Sequence, residues 1–270
     1  MLTFIVPVKS KLVTADWDKF SQLFENTLKS ICNQEDQNFK VVVVCHEKPI
    51  STFFHQNVHF LQVDFEPPNT NAKTKASTDS SYKSKELDKG KKIILGVEYA
   101  RKEFKTDYIM TVDSDDYISN HISSYVNNKG TDVPGWYLKK GYIYFEGKKF
   151  LVKTFKFNQL CGSSIIIKPD LFKYFIGVDP TFYFDHRLTT INSNIELRKI
   201  PFAAGIYNVG NGENIYMSTE SIRKFNDHGN WISAQSLKRF YQKSRNYRFR
   251  FITSRIRKEF QFSSDSVMNK

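Results

Sequence analysis

Tyr108-Ile109-Met110-Thr111-Val112-Asp113-Ser114-Asp115-Asp116 passes from five residues suited to a buried strand into three carboxylates within four positions. Ionised carboxylates at that density repel one another and favour a cation between them. Oxygen ligands at a strand end suit Mg²⁺ or Mn²⁺, particularly an ion shared with substrate phosphates. The strand end is also where open α/β sheets place their ligands. The plainer alternative is a solvated acidic turn capping the next helix, because Asp and Ser are good N-caps.

The pattern upstream of this stretch predicts what surrounds it. Residues 3–8 read as a buried strand. Between 16 and 34, Trp17, Phe20, Phe24, Leu28 and Ile31 recur at steps of three and four, one face of a helix. Residues 39–45 contain Val41-Val42-Val43-Val44, a β-branched run suited to a central parallel strand covered on both faces. A third strand is expected over 58–65. Residues 66–89 are polar, with Pro67-Pro68 and many Ser, Thr and Lys, and read as a long mobile loop of the lid or binding type. Ile93, Val97, Ala100 and Phe104 restore a helical period before the strand at 108–112. Alternation of this kind predicts an α/β fold, a mixed and mainly parallel sheet with right-handed crossovers.

After Gly130 the texture changes. Residues 136–138, 142–145 and 149–157 read as antiparallel strands, with Glu146-Gly147-Lys148 as a turn. Another strand is expected over 161–167, closed by Pro169. Asp185-His186-Arg187-Leu188 reads as a helix start, and residues 206–209 as a short strand before a Gly/Asn turn.

Composition bounds the rest. At 270 residues, 40% of them apolar and 15% aromatic, the chain holds one sizeable domain plus an appendage. Its three cysteines, Cys32, Cys45 and Cys161, show no zinc spacing. That argues against a disulfide framework and fits a reducing compartment. The first residues lack a basic segment of signal-peptide type, and no apolar run approaches a membrane span. The expected location is the cytoplasm, with a peripheral place on the inner face of a membrane as the variant. Net charge is +12, and residues 236–270 hold ten Lys or Arg against Glu259 and Asp265, so this tail carries +8 and the remainder +4. Basic tails meet anionic surfaces, lipid or nucleic acid.

Taken together, the motifs resemble the GT-A glycosyltransferases, particularly the large family 2 type. The likeness rests on Phe4-Ile5-Val6-Pro7-Val8, on Leu28-Lys29-Ser30-Ile31-Cys32-Asn33-Gln34 and on the Val-rich second strand. It continues through Asp88-Lys89-Gly90-Lys91-Lys92, which lead a helix into the Asp-x-Asp-Asp (DXD) signature at Asp113–Asp116. It covers residues 1–120 well and 160–215 loosely. The order and spacing of the pieces carry more than any one motif. The resemblance implies a hexosyltransferase with a Rossmann-like GT-A sheet over 1–217, divided into a nucleotide-binding half (1–116) and an acceptor half (117–217). A basic amphipathic helical extension follows over 218–270. It implies a nucleotide-sugar donor, UDP-linked, and Mn²⁺ or Mg²⁺ held by Asp113 and Asp115, with Asn211 standing where many relatives carry a His. Pro7, Glu47, Asp88, Lys89, Lys92 and Asp113 would meet the donor, with Lys89 and Lys92 toward its phosphates. Trp136, Gly162, Ser163 and His186 would meet the acceptor, a surface polysaccharide or lipid-linked glycan. Asp185 would be the base of an inverting transfer.

There are departures. Cys45-His46-Glu47 stands where relatives place acidic residues that read the nucleotide base, leaving Glu47 as the obvious acceptor there. Two rivals remain open. A sugar nucleotidyltransferase also uses an α/β sheet and metal carboxylates, but Pro7-Val8-Lys9-Ser10-Lys11 lacks the glycines of its loop. A non-catalytic membrane- or RNA-binding protein on a decayed scaffold is the other. In the tail, Phe249, Ile252, Ile256 and Phe260 fall at helical steps among Arg and Lys, so the segment over 237–262 either lies on an anionic membrane surface or packs on the domain. Nucleic acid is not an expected partner, because no recognised module is present.

Overall fold

The computed structural model describes residues 1–68, 75–130, 132–176, 185–192, 194–211 and 246–262; over 75–83 it describes the helix but not its side chains. The first half runs β1 (Leu2–Pro7), α1 (Trp17–Cys32), β2 (Phe39–Cys45), β3 (Val58–Gln62), α2 (Lys75–Glu103), β4 (Tyr108–Thr111), β5 (Tyr117–Ile118) and α3 (Ile122–Asn127). Then come β6 (Gly135–Tyr137), β7 (Lys140–Phe145), β8 (Phe150–Thr154), β9 (Ile165–Ile167), β10 (Thr190–Ile191), β11 (Ile195–Glu196), β12 (Arg198–Lys199) and β13 (Ala203–Val209). Near the C-terminus are β14 (Tyr247–Phe251) and α4 (Ser254–Phe260).

The main sheet has the order β12-β6-β9-β4-β1-β2-β3. β3, β2, β1 and β4 are parallel, and β9 runs against both β4 and β6. This is the mixed, mainly parallel sheet flanked by helices that the sequence implies. A second sheet, β14-β8-β7-β13-β5, stands beside it, and β10 and β11 form a small hairpin.

Side-chain alternation explains the two covered faces. Val41 and Val43 point into one core with Phe4, Val6 and the α1 residues Phe20, Phe24, Leu28 and Ile31. Val42 and Val44 point into the other with Ile5 and the α2 residues Ile93, Val97 and Ala100. All four valines are fully buried, as a run without alternation requires. Asp16 starts α1 by accepting the Lys19 N–H at 2.9 Å. α2 presses on the sheet at Gly96, where an added Cβ would lie 2.6 Å from Ile5 Cγ2 and 2.9 Å from Val44 Cγ2.

Three expectations change. The loop foreseen over 66–89 is largely helix, because α2 begins at Lys75; polarity was mistaken for loop, although Lys, Ala and Glu are good helix formers. Asp185-His186-Arg187 is a turn rather than a helix start. In the tail, Tyr247-Arg248-Phe249-Arg250-Phe251 is strand β14, paired antiparallel with β8, so a period of two prevails over the helical spacing. The following helix α4 buries Ile256 and Phe260, with Phe262, against Tyr117, Tyr144, Leu151 and Ile206. The described part of the tail thus packs on the domain; residues 212–245 and 263–270 lie outside the described residues. No described helix is long and apolar enough to cross a membrane. The three cysteines are buried and unbridged.

Candidate functional site

The acidic stretch leaves β4 at the side of the sheet where the parallel strands β1 and β2 also end. Asp116 is its structural centre and is fully buried. It accepts Ser163 Oγ at 2.6 Å, Cys161 Sγ at 3.1 Å and the Asn208 N–H at 3.2 Å. Ser163 Oγ in turn accepts the Asp113 N–H at 2.8 Å. One buried carboxyl therefore ties the acidic turn to the segment before β9 and to β13. Burial, then Asp115 and Asp113, push its pKa well above the ordinary value.

Asp113 and Asp115 face more open space. Lys89, on α2, places its ammonium 2.5 Å from Asp113 Oδ1. Gly162 lies against this pair: an added Cβ would sit 3.0 Å from Asp113 Oδ2 and 3.4 Å from Lys89 Nζ. Burial alone would lower the Lys89 pKa, but Asp113, through charge and hydrogen bond, and then Asp116 and Asp115, raise it overall. Asn211 is buried and gives its amide N–H to Asp115 Oδ2 at 2.8 Å. Burial, then the Asp113 charge, push Asp115 up to about 6. Asn211 thus reaches Asp115, two residues from Asp113, with the nitrogen end of its amide toward the carboxylate.

Lys9, just past β1, also belongs here. Burial lowers its pKa to about 8, Asp115 acts in the opposite direction, and Lys85 adds to the lowering. Its ammonium lies 5.3 Å from the Phe20 ring centre. His186 joins the neighbourhood: burial lowers its pKa, and Lys89, Asp113 and Asp185 are among the charges that act on it. Its Nδ1 lies 2.8 Å from the Asn158 carbonyl. Asp185 Oδ1 accepts both the backbone N–H and Nε of Arg187, each at 3.0 Å.

A second cluster lies one turn along α2. Lys92 is fully buried and closes on Asp88 Oδ2 at 2.8 Å. Asp88 Oδ1 faces His46 Nδ1 at 3.8 Å, and among the described residues neither atom has a hydrogen-bond partner. His46 is held from its other side, with Nε2 2.8 Å from the Phe65 carbonyl.

Several expected roles do not match these positions. Lys92 is fully buried and closed on Asp88 within its own helix, which commits its ammonium to that pair. Trp136 is buried between Tyr108 and Tyr125 and is core, because β6 is an inner strand of the main sheet. Ser163 is buried and committed to Asp116 and Asp113, which gives it a supporting place rather than acceptor contact. Glu47 is engaged by Ser10 Oγ and the Lys11 N–H, both at 3.1 Å, and braces the segment after β1. Pro7 closes β1 beside Val44 and is buried. Sequence reasoning assigned no role to Lys9 or His46; their one signal was a polar residue close after a buried strand.

The donor set fits a divalent ion shared with a ligand. Two adjacent carboxylates, one with a raised proton affinity, would be relieved by a cation, and Mg²⁺-type sites commonly take one or two protein carboxylates plus phosphate oxygens. Among the described residues no three His, Cys, Asp or Glu side chains form a closed metal cage.

No family model matches the chain. No curated protein matches it either. Among solved structures, it is similar to S. aureus TarS 1–349, with 15% identity over 77% of this chain and 60% of that one at a TM-score of 0.43. TarS 1–349 in complex with UDP-GlcNAc gives 15% identity, coverage of 77% and 58%, and a TM-score of 0.42. A protein from Desulfovibrio desulfuricans G20 described as a nucleotide-diphospho-sugar transferase gives 10% identity, coverage of 90% and 95%, and a TM-score of 0.38. The chain spans about three fifths of the TarS 1–349 structures it matches.

Proposed function

We propose that the protein is a glycosyltransferase that moves a hexosyl group from a nucleotide-sugar donor to a glycan or lipid-linked acceptor. The observation that carries this reading is the convergence of Asp113, Asp115, Lys89 and Gly162 at the end of β4. A diphosphate leaving group gains negative charge as the glycosidic bond breaks, and catalysis requires that charge to be met. Lys89 is a positioned cation for it, and Lys9 is a second one beside Asp115. Asp113 and Asp115, with the Asn211 amide oxygen turned inward, would hold Mn²⁺ or Mg²⁺. Such an ion, when bound, neutralises phosphate charge as a Lewis acid. Gly162 leaves the space beside Asp113 that a side chain would fill.

Asp88, enclosed by Lys92 and His46, supports the donor site from within rather than contacting the base. Asp185, oriented by Arg187, takes the proton of the acceptor hydroxyl as its oxygen attacks the anomeric carbon and the bond to phosphate breaks. Inversion follows from a single displacement of this kind.

The test is thermal stability against UDP, GDP, dTDP and CMP, each with and without Mn²⁺, followed by UDP-GlcNAc as the first sugar donor. A ligand that binds only the folded state raises the melting temperature. One nucleotide should do so in a Mn²⁺-dependent way, and Asp115→Asn should abolish the shift. Asp185→Asn should keep the shift and lose transfer. Absence of any shift in the wild type would sink the reading.

A further inference from the structure

Strand β14 lies at the edge of the second sheet and is exposed where a core strand would be covered. Phe249 and Phe251 are 72% and 83% exposed, although large apolar groups in a sheet normally find cover. Register places Phe249 opposite Val152 and Phe251 opposite Phe150, with the Phe150 and Phe249 ring centres 5.1 Å apart. The opposite face carries Arg248 beside Lys153 and Arg250 beside Leu151. Both arginines are exposed. Lys153 is lowered by burial and then by Arg250, Lys140 and Arg248, so several cations crowd this face. The nearby acid of α4, Glu259, accepts Ser119 Oγ at 2.8 Å.

We infer that β14 docks the protein on an anionic lipid surface, with Phe249 and Phe251 entering the headgroup boundary and Arg248 and Arg250 meeting lipid phosphates. Arginines on an edge strand also discourage pairing with a second chain, but two exposed phenylalanines would undo that protection. A bilayer offers an apolar layer and an anionic layer side by side, which suits rings on one strand face and cations on the other. A nucleic-acid platform instead combines rings and cations in one groove. Docking here goes beyond the donor site and does not depend on it.

The test is flotation of the full chain with vesicles of phosphatidylcholine alone or with phosphatidylglycerol added. The wild type should float with the anionic vesicles only. Phe249→Ser/Phe251→Ser and, separately, Arg248→Gln/Arg250→Gln should each reduce bound protein by about tenfold or more. Both should melt as the wild type does, because the replaced side chains are exposed; if one melts early, the other decides. Failure to float, equal flotation with neutral vesicles, or variants that float as the wild type would each overturn the inference. So would an RNA homopolymer complex or a dimer, without flotation, that these substitutions remove.

Discussion

Two lysine–aspartate pairs sit one helical turn apart on α2 and do different work. Lys89 meets Asp113 at 2.5 Å, with side-chain exposures of 32% and 24%; Lys92 meets Asp88 at 2.8 Å, with 0% and 7%. The first reaches across to another element and remains open to a ligand. The second closes within its own helix and is sealed against the sheet. Their pKa directions differ accordingly. Lys89 is raised because three aspartates outweigh burial, whereas Lys92 is lowered because burial outweighs Asp88. Identical residue types therefore say little about role until their surroundings are known.

Substitution should separate the two pairs. Lys92→Met leaves Asp88 buried without its cation and should cost about 3–5 kcal/mol of stability, read by denaturant melts. Replacing both members, as in Asp88→Leu/Lys92→Met, should recover much of that loss, because the uncompensated charge is gone. Equal losses in the single and double variants would break the comparison. Lys89→Met should cost about 1 kcal/mol of stability or less, since its pair is partly solvated. It should weaken nucleotide-dependent stabilisation by about 10- to 100-fold in affinity, the worth of a charge-assisted hydrogen bond. A stability loss as large as that of Lys92→Met would erase the distinction. Gly162→Ala crowds Asp113 and Lys89 by a few tenths of an ångström and should raise the donor KM roughly three- to tenfold, read in a transfer assay with the preferred nucleotide sugar.

The smallest effect concerns pH. Asp115 is raised to about 6 from an ordinary 3.8, so the folded state holds more protons than the unfolded state across that window. Its contribution to stability therefore falls as pH rises from 3.8 to about 6, the opposite of a salt-bridged carboxylate. Asp115→Asn should remove that part of the slope in melts taken across the window. An unchanged slope would place the proton uptake elsewhere, Asp116 being the next carboxyl with the same direction.

Much of this was readable in the chain. The four valines of β2 announce a strand buried on both faces, and they divide between two cores as expected. The period of α1 and the abrupt acidity after β4 were equally plain. The start of α2 was not, because a polar helix and a polar loop share a composition. Nor was β14, because Phe249 belongs both to a helical series with Ile252, Ile256 and Phe260 and to the alternation of Tyr247, Phe249 and Phe251, until β8 supplies a pairing partner.

Sequence by itself determined β1, α1, β2, β4 and the acidic turn, because such elements follow from neighbours a few residues apart. Only the tertiary structure decided which groups share a site. Ser163 and Cys161 reach Asp116 across more than forty residues, Asn211 reaches Asp115 from just past the end of β13, and Lys92 is sealed where Lys89 stays open. Burial and charge depend on those distant contacts, so the same lysine or serine becomes support or binding group only once the chain is packed.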